Sequence, residues 1–447
     1  MRTFRAKDVT WLKQLGTFLV NFTEFNLNAQ ILSGIQAEGY QTATPIQAKA
    51  IPAILQGQDV VGLAQTGTGK TAAFALPLLQ HLMGGPKGQL RALILAPTRE
   101  LADQICMSIN KLGAKTGLRC ATIYGGKVNY REQYRTLRGG IDIVVACPGR
   151  LLDLLQGGKN KLEQANLQQV EMLILDEADH MFDLGFREPI YQILKYLPKQ
   201  RQNLLFSATM SSDIRLLADK VLNNPVSIKI GESAPAASVT QTLFPVSEAL
   251  KTDLLETILQ NNAVQSAIIF TRTKHRAKRL AEHLGQLGYK ATSFQGNLSQ
   301  SKRKIALGKF RHGELKFLVA TDIAARGIDI DHISHVINFD MPNTAIDYTH
   351  RIGRTGRASK LGAAFSLITK GDRRQIRSIE HLQKKRLQEC IIPEFDYTAK
   401  TKAPTELTTA DRPRPFSYAQ DNAGYRKPKP HSHHKNFAGN RRRKTIN

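Results

Sequence analysis

Short apolar, β-branched runs alternate with longer helical stretches along this chain, and that alternation restricts it to a layered α/β architecture. In the first half the runs fall at 60–63, 92–95, 121–124, 143–145, 172–175 and 204–206. Most are apolar throughout, as in Ala92-Leu93-Ile94-Leu95, which suits strands of a parallel sheet covered on both faces. The pattern lapses over 231–241, a small, polar, proline-containing stretch read as a flexible linker. It resumes at 267–270, 316–320, 336–339 and 363–368. Two parallel-sheet α/β domains joined by a hinge follow. Periodicity ends near residue 397. The remaining segment is too poor in apolar residues to offset its ordering entropy, so 397–447 is predicted to be a disordered basic tail.

Charge narrows the partners. The chain carries 63 Lys and Arg against 37 Asp and Glu, a net +26, and its last 51 residues alone hold 12 basic and 3 acidic side chains. Such an excess points to polyanions, nucleic acid before anionic membrane. No apolar run approaches the roughly 18–20 residues needed to span a bilayer. Lys13 interrupts the only apolar stretch of residues 1–20, which are read as a cytoplasmic N-terminal extension rather than a signal peptide. Cys106, Cys120, Cys147 and Cys390 show no metal-finger spacing, so reduced thiols fit better than disulfides or structural zinc.

The run at 60–63 leads into Ala64-Gln65-Thr66-Gly67-Thr68-Gly69-Lys70-Thr71, where a helical pattern begins. Glycines let bare backbone N–H groups converge on phosphates, and the helix start adds a positive dipole end. Lys70 would pair with the β- and γ-phosphates and the Thr71 hydroxyl with Mg²⁺. Ala64 stands where a first glycine is usual. The run at 172–175 delivers Asp176-Glu177-Ala178-Asp179 at its carboxyl end. Asp176 suits Mg²⁺ held through water, and Glu177 suits orienting or deprotonating the attacking water. By themselves the carboxylates read equally well as an acidic helix start. Beside the glycine-rich loop the nucleotide reading is preferred.

With these residues in place, the chain resembles the DEAD-box family of RNA-dependent ATPases and helicases, over about residues 22–370. The resemblance implies two tandem RecA-like domains. It divides the chain into an extension (1–20), an adenine-reading region (21–49), a first ATP-binding domain (50–230), the linker (231–241), a second domain (242–396) and the tail (397–447). Residues 39–47 are similar to the family's adenine-reading motif, with Gln47 on the adenine edge and Phe22 and Tyr40 near the base; outside the family Gln47 would read as a surface helix residue. Ala43 replaces the usual proline. Ser207-Ala208-Thr209, with Asp179, resembles the element coupling hydrolysis to unwinding, although in isolation it reads as a strand end.

In the second half His350-Arg351-Ile352-Gly353-Arg354-Thr355-Gly356-Arg357 crowds cations that would repel unless an anion came between them. Alone, the run reads equally as a solvated basic helix. The resemblance makes Arg354 and Arg357 the fingers that stabilise transition-state charge, and it places Asp329 near the ribose. It also assigns RNA-backbone contacts to Thr98, Arg99, Gly126, Gly149, Arg150, Arg272, Gln300, Arg303 and Thr321. Cys147 stands where threonine is usual and Gln295 where histidine is common.

The expected function is RNA-stimulated ATP hydrolysis, coupled to domain closure and to local opening of short RNA duplexes or remodelling of ribonucleoprotein, with ATP and Mg²⁺ as cofactors. The protein is expected to be cytoplasmic and monomeric, acting on ribosomal precursors or with RNA-decay proteins. A DNA-directed translocase and a non-enzymatic RNA chaperone are the rivals. Charge alone cannot separate RNA from DNA, since only 2′-hydroxyl contacts distinguish them. The tail interleaves Phe416, Tyr418, Tyr425 and Phe437 with basic residues, as a nucleic-acid tether would; a solubilising role is its alternative. His431, His433 and His434 are read as a fortuitous polar cluster. Removing 397–447 is expected to weaken RNA binding and to lower the slope of log affinity against log salt by roughly 0.7 per lost phosphate contact. Filter binding across a salt series checks this, and an unchanged slope would favour the solubilising tail.

Overall fold

The computed structural model describes residues 20–65, 67–126, 130–157, 166–230, 239–260, 264–325, 333–356 and 362–399. The expectations on residues 1–19, Thr66, 231–238, Asp329, Arg357 and 400–447 lie outside the described residues.

Strands β1 (Val60–Leu63), β2 (Ala92–Leu95), β3 (Cys120–Ile123), β4 (Ile143–Ala146), β5 (Met172–Leu175), β6 (Gln202–Ser207) and β7 (Val226–Lys229) form one sheet in the order β3-β4-β2-β5-β6-β1-β7. A second sheet is built from β8 (Val239–Pro245), β9 (Ala267–Phe270), β10 (Ala291–Phe294), β11 (Phe317–Ala320), β12 (His335–Asn338), β13 (Gly362–Ile368) and β14 (Gln388–Glu389). Its order is β10-β11-β9-β12-β13-β8-β14. Every pairing in both sheets is parallel.

The period of two sorts each strand between two cores. Ala92 and Ile94 of β2 face one helix layer with Ile143, Val145 and Ile174, while Leu93 and Leu95 face the other with Val144, Leu173 and Leu175. Ala267 and Ile269 are divided from Ile268 and Phe270 in the same way. Parallel strands put all their carboxyl ends on one edge of each sheet, so the loops after β1, β2, β4, β5 and β6 converge there. No helix among the described residues is long and apolar enough to cross a membrane.

Four strands have no counterpart in the apolar runs. Strands β7, β10 and β14 are edge strands, and each buries at most one residue, so none carries a continuous apolar signal. Strand β8 begins inside the expected linker: Val239, Thr240 and Gln241 pair with Gly362, Ala363 and Ala364 of β13. Its register comes from a seven-residue partner more than a hundred positions away, which a local reading does not contain.

Gly62 is required by packing. A Cβ there would lie 2.6 Å from ring atoms of Phe206 on the neighbouring strand β6, and the Phe206 ring packs 5.5 Å from that of Phe74. Gly62→Ala is expected to destabilise the first domain by about 1–3 kcal/mol, because the core cannot shift to admit the methyl. An unmoved midpoint for that domain in urea unfolding would show that Phe206 repacks freely.

Candidate nucleotide and nucleic-acid site

The loop after β1 runs into the helix Lys70–Met83, with Gly69 as N-cap at φ 91°. A side chain there would be strained by that φ and blocked by Gln47, whose Nε2 would lie 2.5 Å from a Cβ. Gln47 donates from Nε2 to the Gly69 carbonyl at 3.1 Å and accepts at Oε1 from the Thr44 N–H at 2.8 Å. Both ends of the amide are therefore engaged within the protein, and Gln47 fastens the helix Pro45–Leu55 to the phosphate loop. Lys70 is buried and donates from Nζ to the Ala64 carbonyl at 2.9 Å, closing the loop on itself. Thr68 donates to the Gln65 carbonyl at 2.7 Å, and Thr71 lies half-buried in the first turn of the helix.

The expected aromatic pair divides its labour. Tyr40 stands 39% exposed with its ring stacked 6.2 Å from that of Phe22, whereas Phe22 is 2% exposed and belongs to the core. The segment carrying Phe22 is tied to the adenine-reading region by the Ala43 N–H donating to the Val20 carbonyl at 2.8 Å and by the bridge between Asn21 and Thr42.

Strand β5 ends at the carboxylates. The Asp176 N–H continues the ladder to the Leu95 carbonyl at 3.0 Å, and Asp176 Oδ1 accepts from the Glu177 N–H at 3.0 Å. Glu177 then turns the chain through φ 52°, ψ 54° into the short helix Ala178–Asp183. Burial raises the Asp176 carboxyl to about 7 against the attraction of Lys70, with Glu177 beside it pushing the same way as burial. Burial would raise Glu177 too, but the His180 hydrogen bond and charge, then Lys70 and Arg354, outweigh it and hold Glu177 at about 2. The pair therefore keeps its negative charge on Glu177. Asp179 Oδ2 accepts from both the N–H and the hydroxyl of Thr209, at 2.8 and 2.9 Å, and the Ser207 hydroxyl donates to the Thr209 carbonyl at 2.8 Å. The expected coupling residues Ser207, Ala208 and Thr209, at the end of β6, are thus joined by hydrogen bonds to Asp179, in the helix after β5.

The second sheet contributes Arg354, which is buried and close enough to influence the Glu177 carboxylate of the first. Its neighbour Arg351 is a structural bolt: Nε and Nη2 grip Asp322 at 2.5 and 2.7 Å, while Nη1 donates to Asn338 Oδ1 and the Asp340 carbonyl at 3.0 and 2.6 Å. This fork ties the helix Ala345–Ile352, which leads into Arg354, to the turn after β11, where Thr321 lies. The crowding of cations near 350–357 is relieved partly by these acceptors, which local sequence could not reveal.

Gln300 and Arg303, read from sequence as RNA-backbone contacts, are both bound to a carboxylate of the first domain. Gln300 Nε2 and Arg303 Nε both donate to Glu100 Oε1 of the first domain, at 3.0 and 2.8 Å. Arg303 Nη1 and Nη2 reach the Gln295 and Ala324 carbonyls at 3.4 and 3.3 Å, and the guanidinium lies 4.3 Å over the Phe294 ring. A buried Arg needs a buried acceptor, and Glu100 is the carboxylate that meets it. Glu100, missed as a functional residue, directly follows Arg99. Its signal was an acidic side chain in the first turn of the helix that follows β2.

The other backbone-contact candidates share the carboxyl edges. Thr98 caps the helix Arg99–Leu112, accepting from the Leu101 N–H at 3.3 Å. Arg99 passes over Gly126, where a Cβ would lie 2.4 Å from its Nη1 and where φ is 116°. Arg150 donates to Gln133 at 3.4 Å, and Gln133 in turn holds the Tyr124 carbonyl at 3.0 Å. Gly149 lies beside Arg150 at the start of the helix Pro148–Leu155. Burial pushes the Cys147 thiol up to about 12, so it is an uncharged group at that helix start. In the second domain the Arg272 side chain is exposed, with its N–H anchored on Asp340 Oδ2 at 2.8 Å.

The donors fit Mg²⁺. Asp176 is a buried carboxylate that burial makes reluctant to ionise, so a cation beside it would restore its charge. Among the described residues no group of three or more His, Cys, Asp or Glu could cage a metal, and Mg²⁺ bound largely through water and phosphate needs none.

Comparison with known proteins follows the same division. Residues 44–217 match the DEAD/DEAH box helicase family, and residues 250–359 match the helicase conserved C-terminal domain. The chain is 41% identical over 379 residues to the DEAD-box ATP-dependent RNA helicase CshA of Geobacillus kaustophilus, covering 85% of this chain and 80% of the relative. CshA of Listeria monocytogenes is 42% identical over 379 residues, covering 85% and 72%. The structure of S. cerevisiae Dbp5 bound to RNA and ADP-BeF3 superposes with a TM-score of 0.73 at 30% identity, over 83% of this chain and 95% of that one. Mss116p bound to single-stranded RNA and AMP-PNP gives 0.73 at 29% identity, over 84% and 80%.

A double-mutant cycle of Glu100→Gln and Arg303→Gln, read on polymer-stimulated ATP turnover, is expected to give a coupling of about 1–3 kcal/mol. Additive losses would show that the pair does not form in the working state.

Proposed function

The chain belongs to the DEAD-box family of ATP-dependent RNA helicases, and on that premise we propose that its two domains clamp ATP between them and hydrolyse it when RNA spans both. The observation that carries this reading is the contact across the domains: Arg303 of the second donates to Glu100 of the first at 2.8 Å, and the charge of Arg354 helps hold Glu177 of the first ionised. Hydrolysis then requires closure, because neither domain alone holds both the base and the fingers. RNA bound across both domains favours closure and so stimulates turnover.

In this reading Lys70 exchanges the Ala64 carbonyl for phosphate oxygens, and Gln47 exchanges a contact within the protein for the adenine edge. Tyr40 lies against the base with Phe22 stacked behind it, and Asp329 takes the ribose. The phosphate-loop residues from Ala64 through Thr71 surround the phosphates. Mg²⁺, held by the Thr71 hydroxyl and through water by Asp176, would neutralise charge between the phosphates. Glu177 orients the attacking water, and Arg354 with Arg357 stabilises the departing charge. Asp179 and Thr209 transmit the state of the nucleotide to the domain contact. Thr98, Arg99, Gly126, Gly149, Arg150, Arg272 and Thr321 hold the RNA backbone, so binding is largely independent of sequence. Gln300 and Arg303, also assigned to the RNA backbone, serve the clamp through Glu100 as well. The protein works as a cytoplasmic monomer, with ribosomal precursors or RNA-decay complexes as its setting.

Steady-state ATP hydrolysis with Mg²⁺, compared without polymer, with single-stranded RNA and with single-stranded DNA of equal length, tests the reading. Stimulation by RNA alone is expected, together with loss of turnover in Lys70→Ala. Equal stimulation by DNA would remove the RNA assignment, and undiminished turnover in Lys70→Ala would remove the phosphate-loop assignment.

A further inference from the structure

The residue after Asp179 belongs to none of the roles above, yet it touches the proposed base. His180 lies in the first turn of the helix Ala178–Asp183, and its Nδ1 is 3.2 Å from Glu177 Oε2. Both side chains are buried, at 6% and 9% exposed. The contact calls for a proton on Nδ1, since a carboxylate oxygen only accepts. His180 Nε2 is then left without a hydrogen-bond partner among the described residues, although it too is buried.

A half-satisfied imidazole is a poor core residue. An apolar ring of similar size would fill the same volume without stranding a polar atom, which costs about 1–3 kcal/mol. Packing therefore gives no reason for histidine here, and the bond to Glu177 does. Fixing Oε2 leaves Oε1 as the carboxylate oxygen available to the attacking water. His180 is itself held by the coupling turn. Its backbone N–H donates to Asp179 Oδ1 at 3.0 Å, while Asp179 Oδ2 accepts from Thr209.

We propose that His180 is a positioning residue for hydrolysis: its Nδ1–H holds Oε2 of Glu177 and thereby sets the carboxylate that orients the water, under the control of the Asp179–Thr209 contact. The proposal rests on the reading of Glu177 as the group acting on water.

His180→Phe keeps the ring volume and removes the donor. His180→Asn carries an N–H close to the position of Nδ1. With RNA and ATP saturating, His180→Phe is expected to lower kcat about tenfold or more, with KM for ATP and RNA affinity unchanged, while His180→Asn restores most of kcat. Parental kcat in His180→Phe, equal losses in both variants, or a loss confined to KM would overturn the proposal. Glu177→Gln, assayed alongside, separates the two levels: if it leaves turnover intact, the reading of Glu177 fails; if it abolishes turnover while His180→Phe does not, only the role of His180 fails. Should His180→Phe not fold, nitrogen NMR of histidine-labelled parent protein decides, with the resonance assigned by its loss in His180→Asn. A proton on Nδ1 is expected, and an unprotonated Nδ1 would overturn the proposal.

Discussion

Glu100 is the carboxylate on which the joint site depends. It leaves the first sheet on the helix Arg99–Leu112 and meets Gln300 and Arg303 of the second. All three nitrogens of the Arg303 guanidinium are engaged, two by carbonyls of its own domain and one by Glu100. With both side chains at or below 10% exposure, water cannot replace either partner, so the pair is favourable only when the sheets are correctly opposed. Lys304 and Asp103, at 2.8 Å one turn further along, add a second contact, but Lys304 is more than half exposed and solvent weakens it. Alignment of the sheets is what brings Arg354 to Glu177.

That alignment also completes a charge arrangement neither domain holds alone. Asp176 and Glu177 are adjacent buried carboxylates, and one site cannot comfortably hold two negative charges. Their environments separate them: burial dominates at Asp176, whereas His180, Lys70 and Arg354 prevail at Glu177. Environments that push neighbouring carboxyl groups apart assign them different work. Here the ionised group is the one suited to act on water, and the other is the one suited to a cation. The Asp179–Thr209 contact begins two residues later, so the chemistry and its coupling share a single turn of backbone.

Much of this was legible in sequence, and the exceptions have a common cause. The phosphate loop, the carboxylates at the end of β5 and the small turn at Ser207–Thr209 are contiguous, and each follows a strand whose apolar run announces it. Arg351 and Arg354 lie three residues apart and looked alike as cations. One proves to be a bolt on Asp322, while the charge of the other helps keep Glu177 ionised. Gln300 and Arg303 carry a basic, polar character that fits an RNA surface, and nothing local shows that both also meet Glu100. Phe22 is an aromatic at a suggestive spacing whose ring lies in the core. Charge and type are sequence properties; the partner of a long side chain is not.

The sequence by itself determined the class of fold, the two-domain division and the loop-borne chemistry. Those follow from local rules: apolar periodicity selects strands, glycine permits the left-handed φ of 91° at Gly69, and a parallel strand must end at the ligand-bearing edge. Tertiary structure alone decided which strands complete the sheet edges, that β8 starts within the expected linker, and that Glu100 joins Arg303 across 203 positions of chain. It also decided that His180 leans on Glu177 rather than filling core. Each of these depends on a pairing between distant groups whose free energy is realised only when burial removes the competing water, and no local window of sequence contains that competition.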